Sequence, residues 1–370
     1  MTTQAKAKKI LVFRIGHLGD TLIALPAFWQ LRNTFPESEI TLLSNVDRRN
    51  PHYLSAKSIL PESGIFDAFL DYPTGVSGIK KALAMIELWI NIRREKYDLV
   101  VYLMTRNRTR EQILRDERFF KTVGIAKLKG FSYLLQNRLD EHPASGAERI
   151  TSESGFLIQL LSDEGITNEN ALKSADSTDL LLTNDEKEFG ANVVKSVGSA
   201  TKNDEPKLIA IAPGSKWESK KWETQRFSKV ILALRSHFNI WPIIFGGKED
   251  RETGDEILSE LSFGSNLAGN LNVRQSAAVL SHCSLYIGND TGTMHLAASV
   301  GVPCVAIFSA IDWVGRWDPI GEHHEVIRKR VDCEGCHSPV CLTDRRCLDQ
   351  ISAEEVTVAA HKILLREYSA

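Results

Sequence analysis

Three stretches of this chain place charged and small residues where an apolar run gives way to a loop. Gly288-Asn289-Asp290-Thr291-Gly292-Thr293-Met294-His295 follows the run LYIGND. Glycine lets backbone approach a ligand closely, and the N–H groups of Thr291, Gly292 and Thr293 would open a helix, an arrangement suited to a diphosphate. A carboxylate (Asp290) and an imidazole (His295) can flank such a group, although an Asp cap with a packed histidine explains the same letters. Pro213–Trp222, PGSKWESKKW, carries Lys216, Lys220 and Lys221. Lysine among small residues offers phosphate a compact point charge, while exposed loop lysines are more often simply solvated. Gly16-His17-Leu18-Gly19-Asp20 ends on a carboxylate that is either a helix cap or a base for an incoming hydroxyl.

Other nucleotide chemistries fit poorly. The second stretch lacks the Gly-Lys-Ser/Thr ending of a Walker A loop, and the third lacks G-x-G-x-x-G, which disfavours nicotinamide and flavin enzymes. No D-x-D motif occurs in these loops, so no Mg²⁺ requirement is implied.

Each stretch needs a strand to deliver it. Apolar, β-rich runs occur at 9–16, 39–45, 67–73 and 97–104, and again at 207–215, 240–247, 285–290 and 303–309, with helix-length segments between. Continuous Val/Ile/Leu runs of this kind indicate parallel sheets covered on both faces. The polar text from Asn168 to Pro206 separates the two series, and 370 residues exceed one ordinary core. The expectation is α/β: two Rossmann-like, doubly wound domains, 1–185 and 186–350, facing a cleft. Residues 351–370 form a closing helix, capped by Ser352 with Glu355 three residues on, that packs back toward the first domain. Ligands then bind beyond the carboxyl ends of the strands.

Charge and hydropathy bound the partners. Lys plus Arg is 45 against 47 Asp plus Glu, so no global basic field exists to hold nucleic acid. The run Ile10–Phe13 is too short for a secretory signal. Ala82–Ile92, interrupted by Glu87 and flanked by Lys80, Lys81, Arg93 and Arg94, is too short to span a bilayer. A cytoplasmic chain is expected, with peripheral contact at the cytosolic face of the inner membrane as a further expectation. Burial of Ala82–Ile92 as a core helix is the simpler account of that segment. Arg106, Arg108, Arg110, Arg115 and Arg118 either recognise an acidic glycan or form a solvated face with Glu111, Asp116 and Glu117. Cys333, Cys336, Cys341 and Cys347, spaced C-x2-C-x4-C-x5-C, either close a tetrahedral structural site for zinc or iron or form a metal-free loop.

Taken together, ILVFRIGHLGDTLIALPAFWQLRNTFP, IAPGSKWESKKWETQRF and YIGNDTGTMHLAASVGVPCVAIFS, with IIFGGKEDRE and LAGN between the last two, resemble glycosyltransferase family 9, the heptosyltransferases of lipopolysaccharide assembly. The resemblance implies a GT-B fold whose first domain binds the acceptor and whose second binds a nucleotide-diphospho-sugar, ADP-heptose-like, with no cofactor needed for catalysis. It implies an inverting glycosyltransferase acting on a glycan or glycolipid acceptor of lipopolysaccharide type. Asp20, beside Gly19, matches the family's general base. Lys220 matches the lysine of its K-x-W pattern, and Asp290, Thr291, Gly292 and His295, with Thr293 among them, match its D-T-G-x-x-H signature at the diphosphate and sugar. Ser215 falls at a phosphate-contacting hydroxyl, Glu249 at a ribose-binding acid and Leu271 near the base pocket. Some relatives directed at autotransporters carry a cysteine-bound iron. Glu223 replaces the family's usual Pro after K-x-W. The readings that compete are another GT-B enzyme, such as a nucleotide-sugar epimerase, and a non-catalytic sugar-nucleotide-binding module.

Overall fold

A computed structural model describes residues 7–47, 49, 53–61, 64–139, 148–167, 178–198 and 206–366. The chain groups into two units, Met1–Glu141 with Glu153–Leu181, and His142–Ser152 with Leu182–Ala370.

The first unit holds β1 (Lys9–Phe13), β2 (Glu39–Asp47), β3 (Ala68–Thr74), β4 (Leu99–Tyr102) and β5 (Lys127–Lys129). They form a parallel sheet in the order β3-β2-β1-β4-β5. Ile10–Phe13 and all of β4 are buried, which is why these runs show no polar alternation. Phe13 packs against the rings of Tyr72, Tyr102 and Phe120 at 5.3, 5.8 and 5.5 Å. The helices are α1 (Leu18–Leu22), α2 (Leu25–Thr34), α3 (Ala56–Ile59), α4 (Gly78–Glu95), α5 (Arg110–Val123), α6 (Phe131–Asn137) and α7 (Glu153–Asp163). α5 shows how sequence sets such bounds. The Thr109 hydroxyl and the Gln112 amide cap each other's backbone N–H groups, and Gly124 ends the helix at φ 93°.

The second unit holds β6 (Lys207–Ala212), β7 (Ile240–Ile244), β8 (Ser265–Asn266), β9 (Leu285–Asn289), β10 (Cys304–Phe308) and β11 (Glu325–Arg328), parallel and ordered β11-β10-β9-β6-β7-β8. Its helices are α8 (Asn184–Gly198), α9 (Thr224–Arg235), α10 (Arg251–Leu261), α11 (Val273–Leu280), α12 (Gly292–Ser299), α13 (Arg346–Asp349) and α14 (Ala353–Arg366). Ile211, Ile231, Ile244, Ile287, Ile307 and Leu364 belong to one apolar cluster that joins sheet and helices.

Two differences from the sequence expectation concern boundaries. The units divide after Leu181, and His142–Ser152 groups with the second, where Ile150 N–H donates to the Val314 carbonyl at 2.9 Å. The closing helix is a correction. α14 packs within the second unit, with His361 5.0 Å from the Phe238 ring and Lys362 Nζ 2.7 Å from Glu325. Val356, Ala360, Ile363 and Leu364 supply an apolar face that this unit's own core accepts.

In each sheet the strand order reverses at one place. In the first unit this lies between β1 and β4, and in the second between β6 and β9. Loops leaving the carboxyl ends of such neighbours diverge and leave a crevice.

Candidate active site

At the β1/β4 reversal the loop after β1 is fixed from beneath by a buried cation. Arg14, 2% exposed, donates to the Asp20 carbonyl at 2.7 and 3.2 Å and to the Leu103 carbonyl beyond β4 at 2.9 Å. Asp20 Oδ2 accepts the His17 N–H at 2.7 Å, which sets its rotamer, and a carboxylate keeps further acceptor capacity. The fold requires glycine at position 16, because a Cβ there would lie 2.2 Å from Asp20 Cβ. Gly16 N–H donates to Asn45 Oδ1 at 2.8 Å, and the Tyr53 hydroxyl donates to the Gly16 carbonyl at 2.6 Å. Burial, and then the negative charge of Asp20, push the Tyr53 phenol up to about 12, so Tyr53 stays protonated as a donor. Gly19 lies within α1, one residue before Asp20.

At the β6/β9 reversal two loops meet. Lys220, in the 3₁₀ turn Glu218–Lys220, places Nζ 2.5 Å from Asp290 Oδ2, and also 5.8 Å from the centre of the Trp217 ring. Asn289, fully buried, bridges the same loops: Nδ2 donates to the Pro213 carbonyl at 2.7 Å, and Oδ1 accepts Trp222 N–H at 3.1 Å. Thr291 stands at the N-cap of α12, followed by Gly292 and Thr293 in its first turn. Helix starts leave N–H groups without intrahelical partners, so a lysine held beside one makes a local anion-accepting surface. Ser215 Oγ accepts Trp217 N–H at 3.3 Å within the same loop.

The loop after β7 lies against the one after β8. Gly269 N–H donates to the Gly246 carbonyl at 3.0 Å, which brings the exposed Glu249 turn toward the segment carrying the half-buried Leu271. Asp250 was not singled out from sequence. Its carboxylate accepts Gly247 N–H at 2.8 Å, and Cβ atoms at Gly214 or Gly246 would come within 2.0 or 2.4 Å of its oxygens. Burial raises its pKa. The flanking glycines were the available signal, since close approach is what requires them.

His295 is buried on α12 with its ring 6.4 Å from Trp317. Trp317 Nε1 donates to Asp312 Oδ2 at 2.8 Å, and the buried Arg316 lies 3.3 Å from Asp312 Oδ1. Burial works to raise the Asp312 pKa, but Arg316 and then His337 outweigh it and hold the carboxyl below its usual value. The arginine cluster is largely structural. Arg106 pairs with the buried Glu153 at 3.2 Å and lies over Phe156, while Arg108 and Arg115 both pair with the buried Asp116.

The four cysteines line one cavity of about 210 Å³, together with Ala310, Ile311 and Val331 among others. The metal reading finds no support here. Among the described residues no three His, Cys, Asp or Glu side chains converge to hold an ion. A tetrahedral thiolate site needs four sulfurs about 2.3 Å from one point. Here the sulfurs surround an apolar space, and Cys333 and Cys341 both face the Thr343 hydroxyl, at 4.0 and 3.4 Å. The cysteine loop instead supports the lysine loop. Ser219 Oγ and N–H donate to the Ser338 and Pro339 carbonyls at 2.6 and 3.1 Å, and Arg345 donates to the Lys221 carbonyl at 2.9 Å.

Residues 167–345 match the family model of glycosyltransferase family 9 (heptosyltransferase). The chain is 24% identical over 365 residues to lipooligosaccharide heptosyltransferase 2 of Campylobacter jejuni, covering 96% of this chain and 98% of that protein. Among solved structures it is similar to a family 9 glycosyl transferase from Veillonella parvula, with TM-score 0.69, 20% identity and 97% of each chain covered. It is likewise similar to the ADP-heptose lps heptosyltransferase II of E. coli, with TM-score 0.64 and 19% identity over 97% of this chain and 99% of that one. Two parallel, doubly wound units and these neighbours give the chain the GT-B fold. Residues 167–345 carry the glycosyltransferase family 9 (heptosyltransferase) domain, and the chain is a glycosyltransferase.

Proposed function

We propose that this chain transfers a heptose or related sugar from ADP-heptose, with inversion, to a hydroxyl of a lipopolysaccharide-type acceptor at the cytosolic face of the inner membrane. The observation that carries the reading is the Lys220–Asp290 pair at the N-terminus of α12, on the β6/β9 reversal. The relatives' names supply the sugar and the acceptor class: one is an ADP-heptose lps heptosyltransferase, another a lipooligosaccharide heptosyltransferase.

Chemistry supports the assignment of roles. Departure of ADP develops charge on the diphosphate, which Lys220 and the N–H groups of Thr291, Gly292 and Thr293 neutralise without a divalent metal. Ser215 adds a hydroxyl donor, Glu249 and Leu271 hold the nucleoside, and Asp290 and His295 face the sugar. Asp20, on the other unit, accepts the proton of the attacking hydroxyl, and attack opposite the leaving group inverts the anomeric carbon. The first unit holds the acceptor.

Asp20→Asn tests the mechanism. Asparagine caps a helix as well as aspartate but accepts no proton. Turnover with ADP-heptose and a core-oligosaccharide acceptor is expected to fall about 10²–10⁴-fold, while ADP affinity, measured by calorimetry in EDTA, stays unchanged. Near-normal turnover removes Asp20 as the base, and ADP binding that appears only with Mg²⁺ removes the metal-free donor site.

A further inference from the structure

α4 has two apolar faces. Leu88 and Ile92 are buried against the first unit's sheet side. On the opposite side Ile79, Leu83, Ile86 and Ile90 are 80, 62, 55 and 36% exposed. Their spacing, i, i+4, i+7 and i+11, is that of one narrow stripe on a helix. A helix that served only as core would be polar here, so the expectation of simple burial accounts for half of the segment.

The charges beside the stripe are mostly positive and available. Lys80 and Arg94, at the edge of the stripe, are exposed and make no ion pair among the described residues. Arg93 is tied down, donating to the Val123 carbonyl at 3.0 Å and lying over Trp89. Of the two acids, Glu95 is neutralised by Lys9 at 2.8 Å, which leaves Glu87. Four aliphatic side chains expose a few hundred Å² at most, well short of the ~800 Å² per partner of a stable protein interface. An aliphatic stripe edged with free lysine and arginine suits the boundary between acyl chains and anionic headgroups, where the stripe inserts and the cations stay at the phosphates.

We infer that α4 is a docking surface for an anionic lipid bilayer, with Ile79, Leu83, Ile86 and Ile90 entering the interface and Lys80 and Arg94 on the headgroups. The inference rests on the proposed function only in that a lipid-linked acceptor brings the chain to a membrane.

The test is flotation of the whole protein with vesicles of equal parts phosphatidylglycerol and phosphatidylcholine, against phosphatidylcholine alone, with no nucleotide or acceptor present. The wild-type chain is expected to bind the anionic vesicles at least about tenfold better than the neutral ones. Leu83→Glu/Ile86→Glu is expected to lose about tenfold on anionic vesicles, and Lys80→Glu/Arg94→Glu to fall to the neutral-vesicle level. All four positions are exposed, so unchanged melting curves are expected. Absence of wild-type binding, or a Leu83→Glu/Ile86→Glu variant that binds like wild type, overturns the inference. So does a wild-type dimer in sedimentation velocity that this variant turns into a monomer, which assigns the stripe to a second copy. Transfer to a lipid-free core oligosaccharide is measured separately, so failure of docking and failure of the proposed activity give different results.

Discussion

Lys220 Nζ and Asp290 Oδ2 lie 2.5 Å apart, joining the loop that leaves β6 to the loop that leaves β9. The pair closes the place where the second sheet reverses its strand order. Both side chains are mostly covered, at 19 and 8% exposure, so the contact is screened less than a surface ion pair. It holds the cation beside the first turn of α12 before any ligand arrives.

Lys220→Met is therefore expected to weaken ADP binding about ten- to a hundredfold, the loss of one charge-assisted hydrogen bond of about 1.5–3 kcal/mol. Lys220→Arg should recover only part of this, since a planar fork does not replace a point charge in a fixed space. Calorimetry in EDTA measures both. Wild-type affinity in Lys220→Met would remove the lysine from the donor site.

Central strands such as β1 and β9 were legible because buried parallel strands are written as unbroken apolar runs, here KILVF and LYIGN. The edge strands β5, β8 and β11 were not. They are two to four residues long and contain Lys, Ser, Asn, Glu or Arg, so pairing with a neighbour defines them and hydrophobicity does not. The site loops were readable as letters, while their supports were not. Arg14 reads as a charge interrupting a strand, and only the three-dimensional chain shows it buried beneath Asp20. The cysteine spacing left a metal site and a metal-free loop both open, because spacing constrains which thiols can meet without stating that they do.

Asn289 makes a separate prediction about stability. Asn289→Ala deprives the Pro213 carbonyl and the Trp222 N–H of their partner in a buried place. Two unsatisfied backbone groups cost about 2–6 kcal/mol together. A loss of that size in unfolding free energy, read as a lowered denaturant midpoint, is expected, along with weaker ADP binding as the Lys220 loop loosens. An unchanged midpoint would mean that water or repacking satisfies both groups.

Gly16→Ala tests how closely Asp20 must be placed. The new methyl would meet Asp20 Cβ at 2.2 Å, so the carboxylate or the loop has to move. A displacement near 1 Å at a reacting group costs on the order of 10²-fold in rate. Turnover is expected to fall by that order, while ADP binding on the second unit is retained. Equal losses of both would point to general unfolding, which a melting curve distinguishes.

The last prediction concerns acid. His324 Nδ1 accepts the Cys304 N–H at 3.0 Å, so the ring proton must sit on Nε2, which is 2.8 Å from the Ile320 carbonyl. Protonating Nδ1 would set a second donor against the Cys304 N–H and charge a partly buried ring. Burial, with a smaller contribution from His323, holds the His324 pKa below its usual 6.5. In the unfolded chain the same ring takes up a proton near pH 6.5. The unfolded state thus binds more protons between that value and the folded pKa. The stabilisation from neutral His324 is complete above pH 6.5 and is lost as pH falls toward the folded pKa. His324→Asn keeps an acceptor for the Cys304 N–H but does not titrate. Urea midpoints at pH 7.5, 6.5 and 5.5 are expected to decline more steeply for wild type than for His324→Asn, with the difference opening only below about pH 6.5. Parallel declines would show that the ring titrates alike in both states and that its burial contributes nothing to acid sensitivity.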